Sequence, residues 1–168
     1  MARESFKVIG LEGVMRSLQQ LPAEIVSKRG GPVRSALQKA AKLIVAEEQS
    51  HLQRIIDAPN IDPNIAESTG LLKKNIVAKR GRLAGGEKGE LYSVNIRRKS
   101  YPSTKGKAVS TPQVARLLEY GTEKRPPMPF IRPAFEAVKG RVIPLFVSEL
   151  QKKLAGIVKK VARQNGVA

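Results

Sequence analysis

Glu90-Leu91-Tyr92-Ser93-Val94-Asn95-Ile96-Arg97-Arg98 is the stretch on which the fold turns. Tyr92, Val94 and Ile96 alternate with Ser93, Asn95 and Arg97, the period of two that puts apolar side chains on one face of a sheet and polar ones on the other. Upstream, Ile76 to Arg82 is a second strand candidate, and Leu83-Ala84-Gly85-Gly86-Glu87-Lys88-Gly89 between the two reads as a hairpin loop. The two runs are expected to pair antiparallel.

Outward toward the N-terminus, Ser68-Thr69 can cap a short helix through Leu71, Leu72 and Ile76. Asp57 to Pro63 has two prolines, two aspartates and an asparagine, which favours a loop. Before it, Val33, Leu37, Ala40, Ala41, Ile44 and Val45 recur at three- and four-residue spacing and continue loosely to Leu52 and Ile55. That spacing predicts a helix, with Pro32 in its first turn. Ser5 to Ile9 reads as a short strand ended by Gly10, and Leu11, Val14, Met15, Leu18 and Leu21 as a helix stopped near Pro22.

Outward toward the C-terminus, residues 97–111 are mostly Lys, Arg, Ser, Thr and Gly with one Pro and little to bury, so an exposed or mobile basic loop is expected. A helix follows from Thr111 or Pro112 through Val114, Leu117 and Leu118 to Tyr120, ended by Gly121. Glu123 to Pro133 is proline-rich and expected to be extended. Pro133 then opens a long helical stretch to about Gln164, interrupted near Gly140 to Pro144. Its second half carries Phe146, Leu150, Leu154, Ile157, Val158 and Val161 along one face. The tail, Asn165 to Ala168, is expected to fray. Together these elements predict one α+β domain over residues 1–168, a small antiparallel sheet packed against several helices, with a long C-terminal helix that extends the domain from about residue 150.

A chain of 168 residues buries one core and is short for two. Having no cysteine, it lacks a disulfide scaffold, a thiol nucleophile and any cysteine metal site, and it suits a reducing cytosol. No stretch approaches the roughly 20 apolar residues of a membrane span, and Met-Ala-Arg-Glu-Ser-Phe-Lys lacks the apolar run of an export leader. Charge is the strongest compositional feature: 31 Lys and Arg against 14 Asp and Glu give +17. Residues 1–70 hold 9 basic and 8 acidic residues, leaving 31 − 9 = 22 basic and 14 − 8 = 6 acidic in the remainder, so the second half carries +16. A field of that sign attracts nucleic acid, anionic lipid or an acidic protein surface. Aromatics at 4% with no Trp supply base stacking poorly, which argues against a dedicated single-strand reader.

The catalytic inventory is thin. His51 is the only histidine, and one histidine on a helix reads as a surface or packing residue. Glu47 and Glu48 are adjacent and so diverge around a helix; a paired-carboxylate site would have to be assembled from distant segments. Gly81, Gly85, Gly86 and Gly89 form neither GxxxxGK[ST] nor GxGxxG, so a hairpin loop accounts for them. The basic runs Lys73-Lys74, Lys79-Arg80-Arg82, Arg97-Arg98-Lys99 and Lys105-Lys107 can meet phosphates without reading sequence, or form a solvated face matched to an acidic neighbour, and the residues leave both open. Lys152-Lys153 and Lys159-Lys160 read as the wet side of the last helix rather than a membrane-binding face.

The sharpest local signal is Leu117-Leu118-Glu119-Tyr120-Gly121-Thr122 followed by Arg125-Pro126-Pro127-Met128-Pro129-Phe130-Ile131-Arg132-Pro133-Ala134-Phe135. Gly121 permits a positive φ to end a helix, the prolines stiffen an extended arm, Phe130 and Ile131 supply anchors, and Pro133 starts the next helix. A proline-rich arm embedded between two core helices reads as a structural crossover rather than an SH3-type ligand.

This block resembles the signature of the phage neck and tail-component family typified by the tenth gene product of the coliphage HK-ninety-seven, in which an acidic-aromatic-Gly-Thr turn precedes a Pro-Phe-Ile/Leu-Arg-Pro-Ala element. Thr69-Gly70-Leu71-Leu72-Lys73-Lys74-Asn75-Ile76 is similar to that family's Ser/Thr-Gly-x-Leu-x-x-x-Ile lead into its sheet. The likeness spans roughly Leu11 to Leu150, with Glu119 to Ala134 its specific part; the basic insertion at 97–111 and the extension after Leu150 are less typical.

The resemblance implies a non-enzymatic virion structural protein, a head-tail connector or tail-completion subunit assembled in the host cytoplasm. It would form a homo-oligomeric ring, a hexamer or dodecamer, at the head-to-tail junction. Implied partners are further copies of itself, neighbouring neck, tail-terminator or tail-tube proteins, and passing DNA; no membrane, cofactor, metal or small-molecule substrate is implied. Glu119, Tyr120, Gly121, Thr122, Pro129, Phe130, Ile131, Arg132 and Pro133 are then expected at or beside a subunit interface. Lys79, Arg80, Arg82, Arg97, Arg98, Lys99, Lys105 and Lys107 are expected to face DNA or an acidic partner. The alternative is a sequence-nonspecific cytosolic nucleic-acid-binding protein whose basic half grips phosphates.

Overall fold

The computed structural model describes residues 31–58, 68–82, 89–101 and 108–164. The expected strand at 5–9, the helix at 11–21, most of the loop at 57–63, the hairpin tip at 83–88, Lys105, Lys107 and the tail at 165–168 lie outside the described residues.

The described chain runs α1 (Pro32–Ile56), α2 (Leu71–Lys74), β1 (Ile76–Gly81), β2 (Leu91–Ile96), α3 (Thr111–Tyr120) and α4 (Ile131–Gln164), an α+β arrangement as predicted. The two strands pair antiparallel, with Ile76 opposite Ile96, Ala78 opposite Val94 and Arg80 opposite Tyr92. A two-stranded ribbon is marginal alone, and here Val94 and Ile96 join Ile76 in a core with Leu52, Leu72, Ala115 and Phe130. Five elements therefore meet around one phenylalanine, which is 0% exposed.

A second, smaller cluster forms where Ala36 of α1 meets Leu150 of α4, flanked by Val33, Phe146, Val147 and Leu154. The two long helices run antiparallel: Lys39 Nζ reaches Glu149 Oε2 at 2.5 Å, and one turn and more further along α1 Arg141 lies 3.8 Å from Glu47. Ala36, Ala40 and Ala41 are buried along the seam, and side chains that small let the helix axes approach closely. Leu150 and Val138 are fully buried on the α4 side.

Two local readings are corrected and a third is refined. Helix α4 starts at Ile131 rather than Pro133 and runs through Gly140 and Pro144 without a break. Proline inside a helix costs about 3 kcal/mol, and burial of Val138 before Pro144 and of Leu150 after it offsets that cost. The short helix is four residues, ends at Lys74 and hands Ile76 to the sheet. Its N-cap is Gly70, at φ 68, while Ser68 and Thr69 hydroxyls accept from the Gly70 and Leu71 amides just before it. The basic loop is stapled at its root: the Thr111 amide donates to Lys99 O at 2.8 Å, its hydroxyl donates to Arg97 O at 2.6 Å, and the Tyr101 amide donates to Val109 O at 2.9 Å. Those bonds hold residues 97–101 beside 109–111, while residues 97–100 are exposed as expected.

Candidate functional site

Helix α3 sets the site. Ser110 and Gln113 form a capping box at its start, with the Ser110 amide donating to Gln113 Oε1 at 2.8 Å. Its inward face is Thr111, Ala115 and Glu119, one residue per turn. Leu117 is exposed.

Gly121 ends α3 at φ 74, and its amide donates to Leu117 O at 2.9 Å. A tight turn follows, with Thr122 and Arg125 exchanging backbone hydrogen bonds. The chain then doubles back over the end of α3. A Cβ at position 121 would lie 2.8 Å from Arg125 O and 2.8 Å from Pro127 N, so only glycine lets the arm close. The Met128 amide donates to Leu118 O at 2.8 Å, fixing the arm against the helix it has just left.

The arm delivers the start of α4 to Glu119. Glu119 Oε2 accepts from the amides of Phe130 and Ile131, each at 2.9 Å, and Oε1 accepts from Arg132 at 3.0 Å. The first amides of a helix have no partner within it and carry the positive end of its dipole. A carboxylate from a neighbouring helix here does the work of an N-cap, through three charge-assisted bonds. This joint explains why Glu119, Gly121, Phe130 and the prolines occur as one block.

Beside the joint is an open cavity of about 690 Å³, within the size range of ligand sites. Val94, Asn95 and Ile96 of β2, Ala115, Arg116, Glu119 and Tyr120 of α3, and Ile131, Arg132 and Phe135 of α4 line it. Glu48 enters it from α1. This residue is only 4% exposed, and no hydrogen bond or ion pair reaches its carboxyl among the described residues. Burial, and secondarily the nearby Glu119 charge, push its pKa up to about 7. A second open space of about 480 Å³ lies across the arm between Tyr120, Pro127, Pro129, Pro133 and Arg132. Tyr120, at 68% exposed, and Arg132 border both spaces, and Phe135 stands 48% exposed beside the first.

The expected interface residues thus divide. Glu119, Phe130 and the Gly121 turn serve the chain's own joint, so Phe130 is a core residue rather than a surface anchor. Ile131 and Pro133 are half-buried, whereas Tyr120, Thr122, Pro129 and Arg132 are exposed. The basic residues divide too. Arg80 is held by Glu90 through two bonds of 2.7 and 2.6 Å, with Lys79 and Arg82 exposed at the same end of the ribbon. Arg97, Arg98 and Lys99 are exposed at its other end. Four residues of β2, Ser93 to Ile96, lie between Tyr92, opposite Arg80, and Arg97, a span of about 16 Å along the strand, so the two groups are not one patch.

Glu48 is the site residue that sequence reading missed. A signal was present: Ala41, Val45, Glu48, Leu52 and Ile55 follow one helical stripe, and a glutamate in the middle of an apolar stripe is a buried carboxylate. Glu119 likewise sits four residues after Ala115 on the inward face of α3. The pairing of the two could not be read, because they lie 119 − 48 = 71 residues apart and chain order says nothing of which helices touch.

Compared with family models, with curated proteins and with solved structures, the chain matches none. Among the described residues, no helix is long and apolar enough to cross a membrane. The fold and groove define a small α+β protein with a rigid helix-arm-helix joint beside an open, carboxylate-floored groove.

Proposed function

We propose that this chain is a structural subunit of a tailed-phage virion, a neck or tail-completion protein that closes into a homo-oligomeric ring at the head-to-tail junction and acts by assembly. The observation that carries this reading is the division of labour within the Glu119 to Phe135 block. Its buried half, Glu119, Gly121 and Phe130, makes a rigid joint, and its exposed half presents Tyr120, Pro129, Arg132 and Phe135 on one side of the molecule. Aromatic residues and arginine are enriched where proteins meet, and anchors held on a stiff backbone lose little entropy on docking. The resemblance of the same block to the phage neck and tail-component signature gives the assembly its setting.

The test is light scattering on the purified protein at low and high salt, with and without duplex DNA. A discrete oligomer that survives high salt, ignores DNA and is lost in Tyr120→Ala with unchanged circular dichroism supports the ring subunit. A monomer that binds DNA at low salt and releases it at high salt, through the exposed Arg97, Arg98 and Lys99, would replace it with the nucleic-acid-binding reading.

A further inference from the structure

Two carboxylates meet at the floor of the groove, and they are not equivalent. Glu119 has both oxygens committed to three backbone amides at the start of α4. Glu48 has none committed among the described residues, although it is almost wholly buried and opens into the cavity. Among the described residues no fully enclosed side-chain oxygen or nitrogen lacks a hydrogen-bond partner, so the Glu48 carboxyl, which has none, is open to the groove and can be met by a group that enters it. The other charged and titratable groups that line the cavity are Arg116 and Tyr120 on α3 and Arg132 on α4; β2 contributes Val94, Asn95 and Ile96, none of them ionisable. Arg116 and Arg132 are exposed, and neither forms an ion pair with Glu48.

The walls select among cations. A hard metal ion asks for six or more oxygen ligands, and no group of three or more candidate metal ligands exists among the described residues. The lining is instead largely carbon: Val94, Ile96, Pro112, Ala115, Ile131 and Phe135. An apolar channel ending in a carboxylate matches a cation carried on an aliphatic stem, which buries its methylenes and pairs its head. A chain with 31 Lys and Arg against 14 Asp and Glu carries many such side chains itself. Copies of so basic a protein repel one another unless their cations meet carboxylates at the contact.

We infer that this groove is a receptor for a lysine or arginine side chain of a second copy of the chain, which lies along Ile96, Ile131 and Phe135 and sets its charge on Glu48. The inference rests on the self-assembly reading above and supplies its specificity. Docking converts Glu48 to the carboxylate and releases the proton it holds when the groove is empty, so assembly strengthens as pH rises. Exposed Tyr120 at the mouth closes over the stem.

The experiment has two arms on the full-length chain. In the first, the side-chain carboxyl of Glu48 is followed by carbon NMR through a pH titration with and without agmatine, which is an arginine side chain freed of its backbone carboxylate. In the second, self-association of the native chain and of Glu48→Gln is measured by sedimentation at about pH 6 and about pH 8 and constant ionic strength. Expected are an agmatine-dependent fall in the Glu48 midpoint, self-association about tenfold tighter at the higher pH, competition by agmatine, and weak, pH-independent association of Glu48→Gln with its fold intact. A Glu48 midpoint indifferent to agmatine overturns the cation receptor whether or not the chain assembles. Agmatine binding without any self-association overturns the second copy as occupant, and with it the self-assembly reading. Glu48→Gln that assembles as the native chain does, with the same pH profile, overturns the inference and leaves assembly standing.

Discussion

The Phe130 end of the molecule and the Leu150 end are built on opposite plans. Around Phe130, α1, α2, β1, α3 and the arm converge, and polar groups are buried with the apolar ones: Glu48, Asn75, Thr111 and Glu119. Around Leu150 two helices meet through Ala36, Phe146 and aliphatic side chains, and the buried polar residue there, Glu149, is paired with Lys39 at the flank. The difference teaches where this chain uses buried polarity. Polar side chains go inside where the backbone must turn and leave amides or carbonyls without partners, as Glu119 does for α4 and Thr111 for the loop root. Two long helices pair most of their own backbone groups, Pro144 excepted, and ask chiefly for shape.

The comparison makes its largest prediction for the two central side chains. Phe130→Ala is expected to cost about 3–5 kcal/mol and Leu150→Ala less, about 2–3 kcal/mol, because only the first empties a site walled on all sides by separate segments. Equal losses in urea unfolding would show that the two ends are not energetically distinct. Gly121→Ala follows, at about 2 kcal/mol or more, since it combines a left-handed backbone with a Cβ pressed on Arg125 O and Pro127 N. Recovery of the full midpoint in that variant would mean that the arm can move off α3 at no cost.

Glu119→Gln keeps the shape of the joint and removes its charge. A loss of about 1–3 kcal/mol in thermal or urea unfolding is expected, as three amides then share one neutral oxygen. No loss would break the view that a side chain caps α4.

Glu48 makes the contrast pH-dependent. Its carboxyl titrates near 7 in the folded chain against 4.5 in the ordinary range. The folded state therefore binds the proton more tightly than the unfolded one. The resulting stabilisation is complete below about 4.5 and is lost as pH rises through about 7. Allowing for water entering through the open groove, the loss is about 1–3 kcal/mol. Glu48→Gln should flatten that slope and match or exceed the native stability at neutral pH; a slope that survives the substitution assigns it to another group. The smallest effect is expected for Lys39→Ala, where an exposed lysine leaves an ion pair on the flank of the helix seam. A midpoint shift rivalling that of Glu119→Gln would erase the distinction between the two ends.

Much of the fold was legible because it is local. The alternation of Tyr92, Val94 and Ile96, the three- and four-residue spacing from Val33 to Ile55, and Gly121 as a helix stop are properties of chain segments a few residues long. The structure bears out the antiparallel ribbon, the two long helices and the α+β class. Pro144 misled because local propensity there is overruled by the α1 seam, which acts across more than a hundred residues of sequence.

By itself the sequence determined the periodicities, the stops and the uneven charge, since these follow from the conformational and solvation preferences of single residues and their near neighbours. It also contained the joint's components as one contiguous block, which is why that block was recognisable. Only the tertiary structure decided that Phe130 belongs to the core, that the two basic groups stand at opposite ends of the ribbon, and that Glu48 meets Glu119 beneath an open groove. Such pairings depend on which helices pack together, and packing sums many weak contacts between segments remote in sequence, none of which carries a signature of its own.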